Sequence, residues 1–229
     1  MGAATVERPL HLRPMPSAKS SRQSLSAHAR KPDAKKSPSR APKGPPSHEI
    51  RIIGGQWRRT RLKVIDKPGL RPTPDRVRET LFNWLGQDLS GWRCVDAFAG
   101  TGVLGLEAAS RGAAHVLMVE QDAVLVRDLQ DNATRLKASM VSVQRGDAVT
   151  ALGRLPAGSV DLVFLDPPFD GPWFEPALIA AAKAVPVGGW IYLEAPVAWT
   201  AEALGAFGLQ CERHLKAGAV HAHLLQRTA

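Results

Sequence analysis

Hydrophobic positions along this chain change period several times, and the changes mark its elements. After Gly91, short apolar or alternating runs at residues 94–98, 115–120, 141–144, 160–165, 190–194, 209–215 and 220–225 read as strands. Helical spacing fills most of the gaps. Between the second and third runs, Leu125, Leu129, Asn132 and Leu136 form a stripe behind Asp122, which suits an N-cap. The last two runs are joined by Lys216, Ala217, Gly218 and Ala219, too few for a helix, so they are expected to pair as a hairpin. The pattern predicts an α/β, Rossmann-like sheet of five parallel strands plus a C-terminal antiparallel hairpin.

Upstream, Ile50, Ile52 and Ile53 lead into Gly54 and Gly55, then Trp57 and Arg58, a texture suited to a small β-rich flap. Thr73 followed by Pro74 predicts an N-cap with proline at the first helical position. The helix would bury Val77, Leu81, Trp84 and Leu85 and expose Arg76, Glu79, Thr80 and Asn83. Residues 1–48 hold eight of the 18 prolines, many Ser and basic residues, and no sustained period, so they are expected to be a disordered tail. Three regions result: the tail at 1–48, a basic flap and helix at 49–90, and the α/β domain at 91–229.

Charge sharpens that division. The formal net charge is +9. Residues 1–49 contribute +7, residues 50–90 contribute +5, and residues 91–229 contribute −3. A basic entry to a mildly acidic body points to a polyanionic partner. Arg51, Arg58, Arg59, Arg61, Lys63 and Arg71 surround Trp57, where arginine forks suit phosphate and an indole suits base stacking; a solvated hairpin with Trp57 in the core is the other reading. The tail could bind RNA, serve as an organellar transit peptide or only aid solubility.

Cys94 and Cys211 lie far apart without metal-ligand spacing, and no apolar run approaches the length of a membrane span. A cytoplasmic, monomeric protein without a metal or membrane partner is expected. His221 and His223 share one strand face with no third ligand and read as structural; Lys216 near the final turn could touch RNA or simply be exposed, and is left out of the site.

Candidate chemistry begins where the first strand runs into Phe98, Ala99, Gly100, Thr101, Gly102 and, further on, Gly105 and Glu107. Glycines there let a ligand approach the backbone at a strand-to-helix turn. Glu120 ends the second strand and could accept both hydroxyls of a ribose. Asp147, after the third strand, could accept from an adenine amino group. An adenosine-containing ligand fits, with NAD and S-adenosylmethionine both open. The fourth strand ends in Asp166, Pro167, Pro168 and Phe169. Asp166 and the Pro167 carbonyl can accept from the two N–H groups of an exocyclic amine, turning its lone pair outward, while Phe169 stacks on the base.

The blocks from Ile50 to Arg58 and from Gly69 to Leu85, with residues 96–107, 166–169 and the terminal hairpin, resemble the bacterial 16S ribosomal RNA (guanine(966)-N(2))-methyltransferases. The resemblance spans about residues 50–227. It implies a class I methyltransferase fold, S-adenosylmethionine as donor, and 16S rRNA as substrate, within an assembled 30S subunit or its precursor. It also implies that Asp96, Gly100 and Gly102 surround the methionine end of the donor, with Thr73 near its carboxylate, and that Arg71, Thr73 and Arg76 close over it. Adenine N6 or another nucleic-acid amine, and a non-catalytic assembly role, are the alternatives; an NAD-dependent dehydrogenase would leave residues 166–169 unexplained.

Overall fold

The computed structural model describes residues 49–229 except 66, 68, 69 and 71. The tail at 1–48 and Arg71 therefore lie outside the described residues. The chain enters through two short antiparallel strands, β1 (Ile50–Arg51) and β2 (Arg61–Leu62), and continues into α1 (Asp75–Trp84). Strands β3 (Arg93–Asp96), β4 (His115–Glu120), β5 (Val141–Arg145), β6 (Leu162–Leu165) and β7 (Trp190–Ala195) follow, with β8 (Leu209–Ala217) and β9 (Val220–Arg227) last. Between them run α2 (Val103–Ser110), α3 (Ala123–Arg135), α4 (Ala148–Gly153), α5 (Phe174–Ala184) and α6 (Ala201–Gly205).

The seven-stranded sheet has the order β5-β4-β3-β6-β7-β9-β8. Strands β3 to β7 are parallel, β9 is antiparallel to β7, and β8 to β9, with a bulge between Cys211 and Arg213. The five-plus-hairpin expectation and the small N-terminal β element are both observed. Because the chain leaves β3 for β4 on one side and returns to β6 on the other, a crevice opens at the ends of β3 and β6.

Strand alternation divides the core into two layers. Cys94, Met118, Phe164, Tyr192 and Leu224 face one layer, together with Ile52, Leu62, Phe82 and Leu106. Val95, Val163, Ile191, Leu193 and Leu225 face the other, against α4, α5 and α6. Every residue of α2 is buried. The reason is the flap, which covers the outer side of α2 and makes a helix with no solvent face.

Two local expectations are corrected. Pro74, not Thr73, is the N-cap residue of α1, with no side-chain cap, and Asp75 is the first helical residue. Thr73 is instead buried against the sheet. The buried stripe of α1 includes Arg78 and Phe82, and Trp84 is only half-buried. Asp122 does cap α3, accepting from the amides of Val124 at 2.9 Å and Leu125 at 3.1 Å. No helix among the described residues is long and apolar enough to cross a membrane.

Candidate active site

The carboxyl ends of the parallel strands gather the residues singled out for donor binding. Gly100 and Gly102 both adopt left-handed backbone, φ +50° and +72°, where an L side chain is strained. A side chain at 102 would also strike Leu129. Gly102 is the N-cap of α2. The Gly100 amide donates to Glu120 Oε2 at 3.0 Å, and the Asp122 amide to Oε1 at 2.8 Å. Glu120 thus braces the glycine turn from the adjoining strand end, and each oxygen keeps further acceptor capacity for a hydroxyl. Gly146 donates its amide to the Glu120 carbonyl, which brings the next strand end alongside. Asp147 is exposed there and caps α4 by accepting from the Thr150 amide at 2.7 Å.

Asp96 ends β3 only 2% exposed, and its Oδ2 accepts from the Gly105 amide at 2.9 Å. Burial pushes its carboxyl up to about 7; the Gly105 hydrogen bond opposes that rise and the nearby Glu120 adds to it. Gly105 has to be small, because a Cβ there would lie 2.9 Å from the Met118 side chain.

Beyond β6, Asp166 is half-buried, Pro167 buried and Phe169 41% exposed. The Phe169 ring opens a row of aromatics, 6.4 Å from Phe174, which is 6.4 Å from Trp199. Desolvation, then the neighbouring Glu194 and Asp96, hold the Asp166 carboxyl well above the usual range. Glu194 is the site residue that sequence reasoning missed. Leu165 is in register with Leu193, so Asp166 and Glu194 follow side by side on adjacent strands. Glu194 is 4% exposed, accepts from the Tyr192 hydroxyl at 2.8 Å, and is hydrogen-bonded by Thr73. The signal was an acid inside an otherwise apolar strand.

The basic flap is seated elsewhere. Trp57 donates its amide to Ser110 Oγ at 3.0 Å and Gln56 its amide to the Ser110 carbonyl at 2.7 Å. Ser110 is the last residue of α2, eight residues and about 12 Å of helix from the glycine turn. Trp57 packs partly buried on the core, while Arg51, Arg58, Arg59 and Arg61 are exposed, Arg61 pairing with Glu49 at 2.7 Å. The turn bearing Arg58 and Arg59 is thus not brought to residues 166–169.

After β2 the chain climbs α3. Arg135 donates to the Arg61 carbonyl at 2.8 Å, Asn132 to the Lys63 carbonyl at 3.2 Å, and Lys67 pairs with Asp122. Leu70 then lies over Gly100, a contact no sequence motif announced. Among the described residues no group of three or more His, Cys, Asp or Glu side chains is placed to hold a metal.

Residues 50–226 match the model of the family described as Conserved hypothetical protein 95. Two curated relatives are named Ribosomal RNA small subunit methyltransferase D. The Escherichia coli K12 protein is 50% identical over 123 residues, 54% of this chain and 62% of that one. The Haemophilus influenzae protein is 44% identical over 126 residues, 53% and 64% of the two chains. The aligned segment thus spans less than two thirds of either relative. A solved Escherichia coli structure, whose description proposes a methyltransferase, is 40% identical with a TM-score of 0.69 over 79% of this chain and 99% of that one. With the family match covering the flap, the glycine turn, residues 166–169 and nearly the whole hairpin, the chain belongs to the Conserved hypothetical protein 95 family.

Proposed function

We propose that this protein methylates the exocyclic N2 of a guanine in 16S rRNA of the small ribosomal subunit, with S-adenosylmethionine as donor. The observation that carries the reading is the meeting of two motifs on one sheet edge. The Gly100–Gly102 turn braced by Glu120 lies at the ends of β3 and β4, and Asp166, Pro167, Pro168 and Phe169 lie at the end of β6, hydrogen-bonded neighbour of β3. RNA as substrate draws on the relatives' names, and guanine N2 on the resemblance of the blocks at 50–58 and 69–85.

The edge suits that donor. Its glycines leave backbone open to a ligand, Glu120 retains acceptor capacity for a ribose, and Asp147, exposed at the next strand end, can accept from an adenine amino group. Asp96, Asp166 and Glu194 gather with no cationic side chain ion-paired to them among the described residues, an environment that favours a positively charged sulfur. When bound, the donor supplies a methyl group already activated on that sulfur.

The protein's part is then positioning. Asp166 and the Pro167 carbonyl accept from the amine and aim its lone pair, Phe169 supports the base face, and Glu194 with Thr73 and Tyr192 holds the floor beneath Asp166. The amine nitrogen gains the methyl, the electron pair of the broken carbon–sulfur bond stays on sulfur, and one amine proton passes to Asp166 or to water. Asp166→Asn, which keeps the shape and one acceptor oxygen, is expected to slow single-turnover methylation by about 10²- to 10⁴-fold while donor affinity, read by calorimetry, stays within several-fold of the wild type. Unchanged turnover would refute the role of Asp166.

A further inference from the structure

The sheet order carries the β8–β9 hairpin to the catalytic edge. Because β9 runs antiparallel to β7, its first residues lie level with the ends of the parallel strands: His221 pairs with Ala195, Ala222 with Glu194 and His223 with Leu193. Two strand spacings, about 10 Å, separate this part of β9 from the end of β6 and Asp166. Across the hairpin His214 pairs with His223 and Lys216 with His221, so all four side chains share one face. Ala195 and Leu193, their partners on β7, place that face on the side of α5 and α6.

The three imidazoles cluster, His214 stacked on His221 with ring centroids 5.1 Å apart and tilted against His223 at 4.8 Å. His223 is buried, and both its nitrogens are used. Nε2 accepts from the Trp199 amide at 3.2 Å and Nδ1 donates to the Leu193 carbonyl at 3.3 Å, which fixes a neutral ring. Burial, with His214 and His221 adding to it, holds its pKa down to about 4. This ring ties the Trp199 loop, and with it the aromatic row that leads back to Phe169, onto the hairpin.

The outer pair differs. His214 is exposed and His221 half-buried, and His214 Nε2 lies 2.9 Å from His221 Nδ1, so only one of those two nitrogens carries a proton while both rings are neutral. Lys216 is exposed beside them and makes no ion pair among the described residues. The charged groups that perturb His221 and His223 are the other histidines and Lys216, with no carboxylate among them. The hairpin turns at Gly218, φ +62°, and Ala219, a tip small enough for close approach by a polynucleotide. One lysine without an ion-paired acid among the described residues, beside two imidazoles that can each gain a proton, at the edge where the target base must enter, calls for an external anion.

We propose that His214, Lys216 and His221 form an RNA contact that holds a backbone phosphate beside the target nucleotide, a second contact distinct from the basic flap. The inference rests on the RNA methylation proposed above and adds where the RNA is gripped. A phosphate there favours the charged imidazole that burial, His214 and Lys216 disfavour at His221 in the free protein. RNA binding therefore takes up a proton, and affinity rises as pH falls through the pKa of the phosphate-bound His221, levelling off below the lowered pKa of the free protein.

The test is binding of unmodified small subunits and of deproteinised 16S rRNA by wild type, Lys216→Ala and His221→Gln, across pH and salt, with donor affinity measured in parallel. Lys216→Ala is expected to weaken RNA binding roughly 3- to 10-fold and to lower the slope of log affinity against log salt by about one. His221→Gln is expected to flatten the rise in affinity at low pH. Donor affinity should not change in either variant. Wild-type affinity, salt slope and pH dependence in both variants would overturn the inference and leave the proposed function standing. Variants that lose affinity for assembled subunits yet bind deproteinised RNA normally would put a ribosomal protein on this face and overturn it equally. A wild type that binds donor but neither RNA would instead remove the proposed function itself.

Discussion

Glu107, on α2, and Asp96, which accepts from the α2 amide of Gly105, are both buried acids, yet they are treated in opposite ways. Glu107, fully buried, is met by Arg78 at 3.2 Å and by Arg111 at 2.8 Å, and it accepts from the amides of Ile53 at 2.9 Å and Gly54 at 2.7 Å. Arg78, itself fully buried, also donates to the carbonyls of Arg51 at 3.0 Å and Thr73 at 3.1 Å. This knot fastens β1, the flap turn and α1 onto α2. Asp96 has one amide donor and no cation ion-paired to it among the described residues, and its neighbours Asp166 and Glu194 share that lack. Where the chain provides its own counter-charge, the acid acts as a fastener. At the sheet edge the charge is left uncompensated, which suits a ligand and a reaction.

The contrast can be attacked from the structural side first, where the effect is largest. Glu107→Ala leaves the buried Arg111 without an acid and the buried Arg78 with only the exposed Asp75, and unfolding in urea should show a loss of about 3–5 kcal/mol. A loss under about 1 kcal/mol, the range of exposed pairs, would mean the knot is solvated and the division false. Asp96→Asn tests the other side. Because burial raises the Asp96 carboxyl in the folded protein to about 7, the wild type folds best with it protonated and loses that advantage as pH climbs from about 4 to about 7. Asparagine does not ionise. Its stability relative to wild type, measured without donor, should therefore grow by up to about 1.4 kcal/mol per pH unit across that window and level off above it. A difference that ignores pH would contradict the uncompensated burial of Asp96. The smallest effect belongs to Glu120→Ala, expected to weaken donor binding about tenfold, or ~1.4 kcal/mol, by calorimetry; unaltered donor affinity would count against its ribose role.

Much of the sheet was legible because strands buried on both faces write themselves as apolar runs with turn residues between them. The runs at 115–120 and 190–194 coincide with β4 and all but one residue of β7, and Asp122 caps its helix as its position suggested. The glycine turn was legible because glycine alone tolerates its backbone. Arg78, Glu107 and Arg111 were not, since a charge one position from an apolar stripe ordinarily faces water. Only the flap folding back over α2 removes that water, and nothing local signals a contact with a partner 50 residues away. Thr73 illustrates the same limit. Next to proline it has the local signature of a cap, but its hydrogen bond to Glu194 on β7, distant in sequence, decides its place. The flap's arginines were readable as a patch, while their seat at the far end of α2 was set by Gly54 and Gly55, where a side chain would strike Arg111 and Ser110.

The most direct measurement joins chemistry to substrate. Isotopically labelled S-adenosylmethionine is incubated with the protein and small ribosomal subunits from cells lacking the activity, and the RNA is digested and its nucleosides identified by mass spectrometry. Label in N2-methylguanosine at a single site is the expected result. Label in N6-methyladenosine would contradict the guanine assignment, and donor binding with no labelled nucleoside from either subunits or protein-bound 16S RNA would contradict methyl transfer itself.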